Sequence, residues 1–106
     1  MVNILLTGAN GFLGSNLLKE LTKNLTLKVT ATVRSNLKIR NVLIYEGLEL
    51  GKNTQWALPL QNQDVVIHTA GCNEIKNGNT RDELKTFRSI NVDGTLELAK
   101  QAIKAG

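Results

Sequence analysis

Three glycines, Gly8, Gly11 and Gly14, recur at every third residue in "LLTGANGFLGSN", directly behind the apolar run "VNILLT". Glycines placed this way act through the side chains they lack. Gly8 can take backbone angles that other residues resist, Gly11 lets main chain approach a ligand without a Cβ, and Gly14 lets a following helix pack close to the strand. If Phe12 opens that helix, the N–H groups of Phe12 and Leu13 stand at the positive end of its dipole, where phosphate oxygens are held. The ligand that suits such a loop is a pyrophosphate. The spacing is G-x-x-G-x-x-G rather than G-x-G-x-x-G, and no Gly-Lys-Ser/Thr follows, which excludes a Walker A loop. Tight turns with no ligand are the competing reading.

Few other residues offer chemistry. His68 is the sole histidine, and its ordinary pKa suits proton transfer, but no carboxylate partner is evident beside it in "DVVIHTAG". We read it as a strand-end histidine with a structural role. Cys72 is the sole cysteine and has no flanking basic residue. It is read as a bystander, and an internal disulfide and a cysteine-rich zinc site are both excluded. Tyr45 is the sole tyrosine, with Glu49 four positions on.

The elements that position these residues follow from periodicity. Val2 to Thr7 reads as a strand buried on both faces, and Phe12 to Lys23 as a helix with Leu13, Leu17, Leu18 and Leu21 at helical spacing. Leu27 to Arg34 alternates and is β-branched, giving a second strand; "NVLIYE" from Asn41 gives a third. A short helix is expected between Asn53 and Leu60, stopped near Pro59, and a fourth strand at Asp64 to His68. Arg81 to Lys104 reads as a long helix, bent near Gly94. Strands alternating with helices over short loops imply a parallel, doubly wound α/β sheet in one domain spanning 1–106.

The composition is that of a globular protein, with 42% hydrophobic and 21% charged residues in 106. No apolar run is long enough to cross a bilayer, and no basic segment with a cleavage site leads the chain, so no membrane partner and a cytoplasmic location are expected. The net charge of +4 comes from lysines and arginines spread along the chain, with only four aromatic residues beside them. That pattern favours anionic small ligands over a nucleic-acid partner.

Four segments, "TGANGFLGSNL", "GLELGKNTQW", "DVVIHTAG" and "FRSINVDGTLELAKQA", together resemble the extended short-chain dehydrogenase/reductase superfamily, in particular its nucleotide-sugar epimerase/dehydratase group. They span nearly the whole chain in the family's order. The resemblance implies a Rossmann-type sheet of about four strands in the order 3-2-1-4 and a dinucleotide cofactor, NAD or NADP. It also implies a site. Gly8, Asn10, Gly11, Phe12, Leu13 and Gly14 would hold the pyrophosphate, Arg34 would lie at the adenosine ribose, and Glu49 and Leu50 would meet the adenine edge. Ala70 and Gly71 would let ribose and nicotinamide pass close to main chain. Asn91 would tie the long helix to the backbone beyond the fourth strand, supported by Thr95.

Three features bear on function within that resemblance. Arg34 stands where an acidic residue would favour NAD, so it leans towards the 2′-phosphate of NADP; a solvated strand-end arginine is the other reading. Glu49 replaces the usual shorter Asp. The family's Tyr-x-x-x-Lys pair has no counterpart, so no catalytic residue is expected within this chain. It is expected to be the N-terminal, cofactor-binding portion of a longer enzyme, cut before a fifth strand and inactive alone. Its full-length parent would act on a nucleotide-sugar substrate through a keto intermediate and could form a homodimer. An NADPH-dependent reductase of the same superfamily and a non-catalytic NAD(P)-sensing protein are the alternatives.

Overall fold

A computed structural model describes residues 1–34, 39, 42–71 and 81–106. The elements run β1 (Val2–Thr7), α1 (Phe12–Thr22), β2 (Leu27–Thr32), β3 (Leu43–Tyr45), α2 (Ala57–Leu60), β4 (Val65–His68), α3 (Arg81–Arg88), a π-helical turn (Ser89–Asp93) and α4 (Gly94–Ala105). The four strands form one parallel sheet in the order β3-β2-β1-β4. This is the expected Rossmann-type order, with β1 at the point where the chain reverses its direction of travel across the sheet.

β1 is central because both of its faces are apolar. Ile4 and Leu6 face one side, where Leu6 packs with Leu18, Val29, Ala31 and Val33 under α1. Leu5 faces the other, packed with Trp56, Leu60 and Leu98 under α2 and α4. Leu5 and Leu6 are fully buried, each worth about 2 kcal/mol in removed apolar surface. The register pairs Val2 with Leu27, Leu5 with Val66 and Thr30 with Leu43.

Several element boundaries depart from the periodicity, most by a residue or two. β2 ends at Thr32, not Arg34, because β3 offers it only three paired residues, although the Val33 N–H still bonds the Tyr45 carbonyl at 3.1 Å. α2 stops at Leu60, near Pro59 as expected, and one residue past Pro59 itself. Pro59 occupies the first turn, where a backbone N–H has no helical partner to lose. The irregularity expected at Gly94 takes the form of the π turn just before it, while Gly94 itself has ordinary helical angles. Asn41, taken as the start of the third strand, and Cys72 lie outside the described residues.

Candidate functional site

Thr7, Thr32, Tyr45 and His68 end the four strands at the same edge of the sheet, and the loops that follow them gather there. Such a crest, at the reversal between β1 and β4, is where open α/β sheets place their ligands. The glycine loop leaves β1 at Gly8, whose φ of +66° lies in the left-handed region that disfavours side chains. A Cβ there would also stand 2.6 Å from the Ala70 nitrogen, so the loop after β1 and the turn after β4 touch through this glycine. Gly14 is tighter still. Its Cβ would fall 1.9 Å from the Gly8 carbonyl oxygen, so α1 packs on the loop's own backbone.

Gly11 differs from both. It caps α1 with extended angles open to any residue, and a Cβ there would meet only the Gly8 carbonyl oxygen, at an ordinary 3.4 Å. The protein's own packing requires glycine at 8 and 14 but not at 11. Around Gly11 the helix end is bare: α1 has no side-chain cap and no acidic residue in its first turn. Phe12 is 89% exposed, and Leu13 and Asn10 are exposed beside it. Asn10 has a hydrogen-bonding or electrostatic contact of its own.

Behind the loop lies a hydrogen-bonded group that the sequence did not single out. The buried Thr7 hydroxyl accepts the N–H groups of Thr69 at 3.0 Å and Ala70 at 3.2 Å. With both lone pairs used, its one hydrogen points to His68 Nδ1, 2.6 Å away. The imidazole is therefore protonated on Nε2, which donates to the Thr95 hydroxyl at 3.1 Å. Burial pushes the His68 pKa below the ordinary 6.5. Both ring nitrogens are committed to threonines, which leaves His68 a tie between β1, β4 and α4. Thr69 adds a hydroxyl bond to the Thr7 carbonyl at 2.5 Å. Thr95 thus holds His68 from α4.

The remaining sequence-selected residues fall around the same crest. Arg34 is exposed one residue beyond Val33, whose carbonyl accepts the Leu48 N–H at 3.3 Å, so the Arg34 and Glu49–Leu50 segments lie side by side. Glu49 is exposed, and its carbonyl accepts the Thr54 hydroxyl. Leu50 is half-buried in the cluster with Trp56 and Leu98. Gly71 lies against the Asn91 side chain, with a Cβ there falling 2.9 Å from Asn91 Oδ1. Tyr45 lines a separate concavity with Asn3, Lys28 and Pro59, which no residue of the glycine loop borders. No group of acidic, histidine or cysteine side chains among the described residues could hold a metal ion. Nor is any described helix long and apolar enough to cross a membrane.

This parallel sheet with a glycine loop at its reversal defines a dinucleotide-fold protein. The sequence profile of the NAD dependent epimerase/dehydratase family matches residues 4–106, and the chain belongs to that family. It is 38% identical over 104 residues to a UDP-glucose 4-epimerase of Vibrio cholerae, covering 98% of this chain and 32% of that protein. Among solved structures it is similar to MoeE5 in complex with UDP-glucose and NAD, at 28% identity and a TM-score of 0.81, covering 98% of this chain and 33% of the other. A UDP-glucuronic acid 4-epimerase from Bacillus cereus, at 23% identity and a TM-score of 0.76, covers 93% and 35% and shares the fold. The chain spans about a third of the length of the curated relatives it matches.

Proposed function

We propose that residues 1–106 form the NAD(P)-binding domain of a nucleoside-diphosphate-sugar epimerase or dehydratase. Gly11 carries this reading: it is a glycine that the protein's own packing does not require, at a helix start with no side-chain cap, flanked by the exposed residues Asn10, Phe12 and Leu13. A pyrophosphate lying against it explains the missing side chain, and the family to which the chain belongs supports the assignment.

The residues fit an extended dinucleotide across the crest. The N–H groups of Phe12 and Leu13 donate to the pyrophosphate, with Asn10 beside them. Arg34 faces the adenosine ribose, and Glu49 with the Leu50 N–H meets the adenine edge. Ala70 and Gly71 admit the nicotinamide ribose, with Asn91 holding that turn. Once bound, the nicotinamide supplies reversible hydride transfer to and from a sugar carbon. This chain's residues bind and orient; the proton-transferring Tyr-x-x-x-Lys pair has no counterpart in them. We assign that pair, the nucleotide-sugar pocket and any homodimer contact to the whole enzyme.

Exposed Arg34 favours a second reading for the cofactor, a preference for NADP like that of a reductase in the same superfamily. Calorimetric titration of NAD and NADP into wild type and Gly11→Val tests the main reading. Binding of either cofactor by wild type and its loss in a folded Gly11→Val are expected; equal affinities would remove the loop from the site.

A further inference from the structure

One helix fixes both ends of the loop that carries Glu49 and Leu50. At one end stands Gly94, where a Cβ would fall 2.7 Å from Leu50 Cγ and 3.0 Å from the Gly51 nitrogen. Its φ of −64° and ψ of −42° suit any residue. Within a helix, alanine is preferred to glycine. The close seat of Leu50 and Gly51 is therefore what requires glycine here.

About two turns further along α4, Gln101 holds the loop's other end. Its Oε1 accepts the Trp56 N–H at 2.7 Å, and its Nε2 donates to the Thr54 carbonyl at 2.8 Å. Glu97 fixes the same amide from within the helix, accepting from Nε2 at 2.8 Å. Thr54 closes the loop on itself by donating to the Glu49 carbonyl. The loop is thus cast against α4, by van der Waals contact at Gly94 and by an amide clamp at Gln101.

We infer that Gly94 and Gln101 are positioning residues for purine recognition: α4 sets where the Leu50 N–H stands and thereby the affinity for the adenine half of the cofactor. The inference rests on the reading of Glu49 and Leu50 as the adenine contact. Gly94 and Gln101 contact the loop itself, and in this assignment each acts through it.

The test titrates ADP and nicotinamide mononucleotide separately into wild type, Gly94→Ala, Gln101→Ala and the double variant Leu50→Ala/Gly94→Ala. Far-UV circular dichroism monitors folding. Emission from Trp56, buried at the loop's end and the chain's sole tryptophan, monitors the loop. Gly94→Ala and Gln101→Ala should each weaken ADP by about tenfold, the scale of one hydrogen bond lost to the ligand. Nicotinamide mononucleotide should bind as it does to wild type. Removing the Leu50 side chain should relieve the contact, so the double variant should bind ADP more tightly than Gly94→Ala.

Folded single variants with wild-type ADP affinity would overturn the inference, as would equal losses for ADP and nicotinamide mononucleotide. If Gly94→Ala does not fold, Gln101→Ala decides on the same terms. A wild type that binds neither ADP nor NAD overturns this inference together with the cofactor reading. NAD binding that is lost in Gly11→Val but unchanged in both α4 variants overturns the positioning role alone.

Discussion

At the residue scale, the glycines of one loop separate into those the fold needs and one that it does not. Gly14→Ala would drive a methyl group into the Gly8 carbonyl, 1.9 Å away, and should cost about 3 kcal/mol or more of stability. Gly11→Val meets no such obstacle and should cost no more than about 1 kcal/mol, the scale of a helix-cap substitution. It should nevertheless weaken NAD(P) by at least about tenfold, or 1.4 kcal/mol, because its side chain occupies the phosphate position. Thermal melts alongside titrations check both, and a Gly11→Val protein that loses stability and keeps its affinity would reverse the assignment. Arg34 allows a second test. Arg34→Asp should reduce NADP affinity by about tenfold or more and leave NAD equal or tighter, because a carboxylate repels a 2′-phosphate and accepts from ribose hydroxyls. A cofactor preference that Arg34→Asp leaves untouched would take Arg34 out of the site.

At the element scale, β1, β4 and α4 are joined through His68, and that junction titrates. Protonating Nδ1 would face it with a Thr7 hydroxyl already occupied by two N–H donors, and burial adds to the penalty. The native pKa is therefore below the unfolded value, and the unfolded chain binds a proton that the native state refuses. Stability from this source is complete above about pH 6.5 and is lost as pH falls through the native pKa. Denaturant melts of wild type and His68→Gln at about pH 7.5 and about pH 5 should show the larger acid loss in wild type; parallel losses would refute the linkage. Nothing in the sequence announced this junction, because Thr7 and His68 are 61 residues apart and Thr95 lies 27 further on. What was legible was local: β1 matched to the residue and α1 ended one residue early, since a buried apolar run and a helical leucine stripe declare themselves within one element. The glycine loop was legible for the same reason. The requirement for glycine at 94 was not, because it is set by Leu50 on another loop, and the π turn has no residue signature that periodicity could register. The strand order 3-2-1-4 came from the resemblance to a family, not from any spacing in the chain.

At the scale of the whole molecule, the described residues leave the sheet with two edges, β3 and β4, and both carry exposed apolar surface, Leu43 on β3 at 55%. Val65 on β4 is 45% exposed, and α4 has two apolar sides: Gly94 and Leu98 are buried against the core, while Leu96 and Ile103 are 56% and 82% exposed. An open strand edge beside an apolar helix face recruits partners, because unpaired N–H and C=O groups and uncovered side chains both gain by association. The 106-residue chain on its own should therefore melt at low temperature or self-associate at micromolar concentration. Leu96→Lys with Ile103→Lys should suppress the association without loss of helical signal, since neither side chain is buried. Sedimentation velocity over a dilution series, paired with thermal melts, provides the measurement. A dilute monomer with a high, cooperative melting midpoint would show that this surface needs no cover. The same chain, mixed with NAD and a UDP-sugar, should give no epimerised product. Its sequence has no Tyr-x-x-x-Lys pair, and its histidine is held between two threonines, so neither supplies the proton transfer that accompanies hydride transfer. Turnover that survives in Gly11→Val would point to a contaminating enzyme, whereas turnover by purified wild type that Gly11→Val abolishes would mean that an acid/base group has been overlooked in these residues.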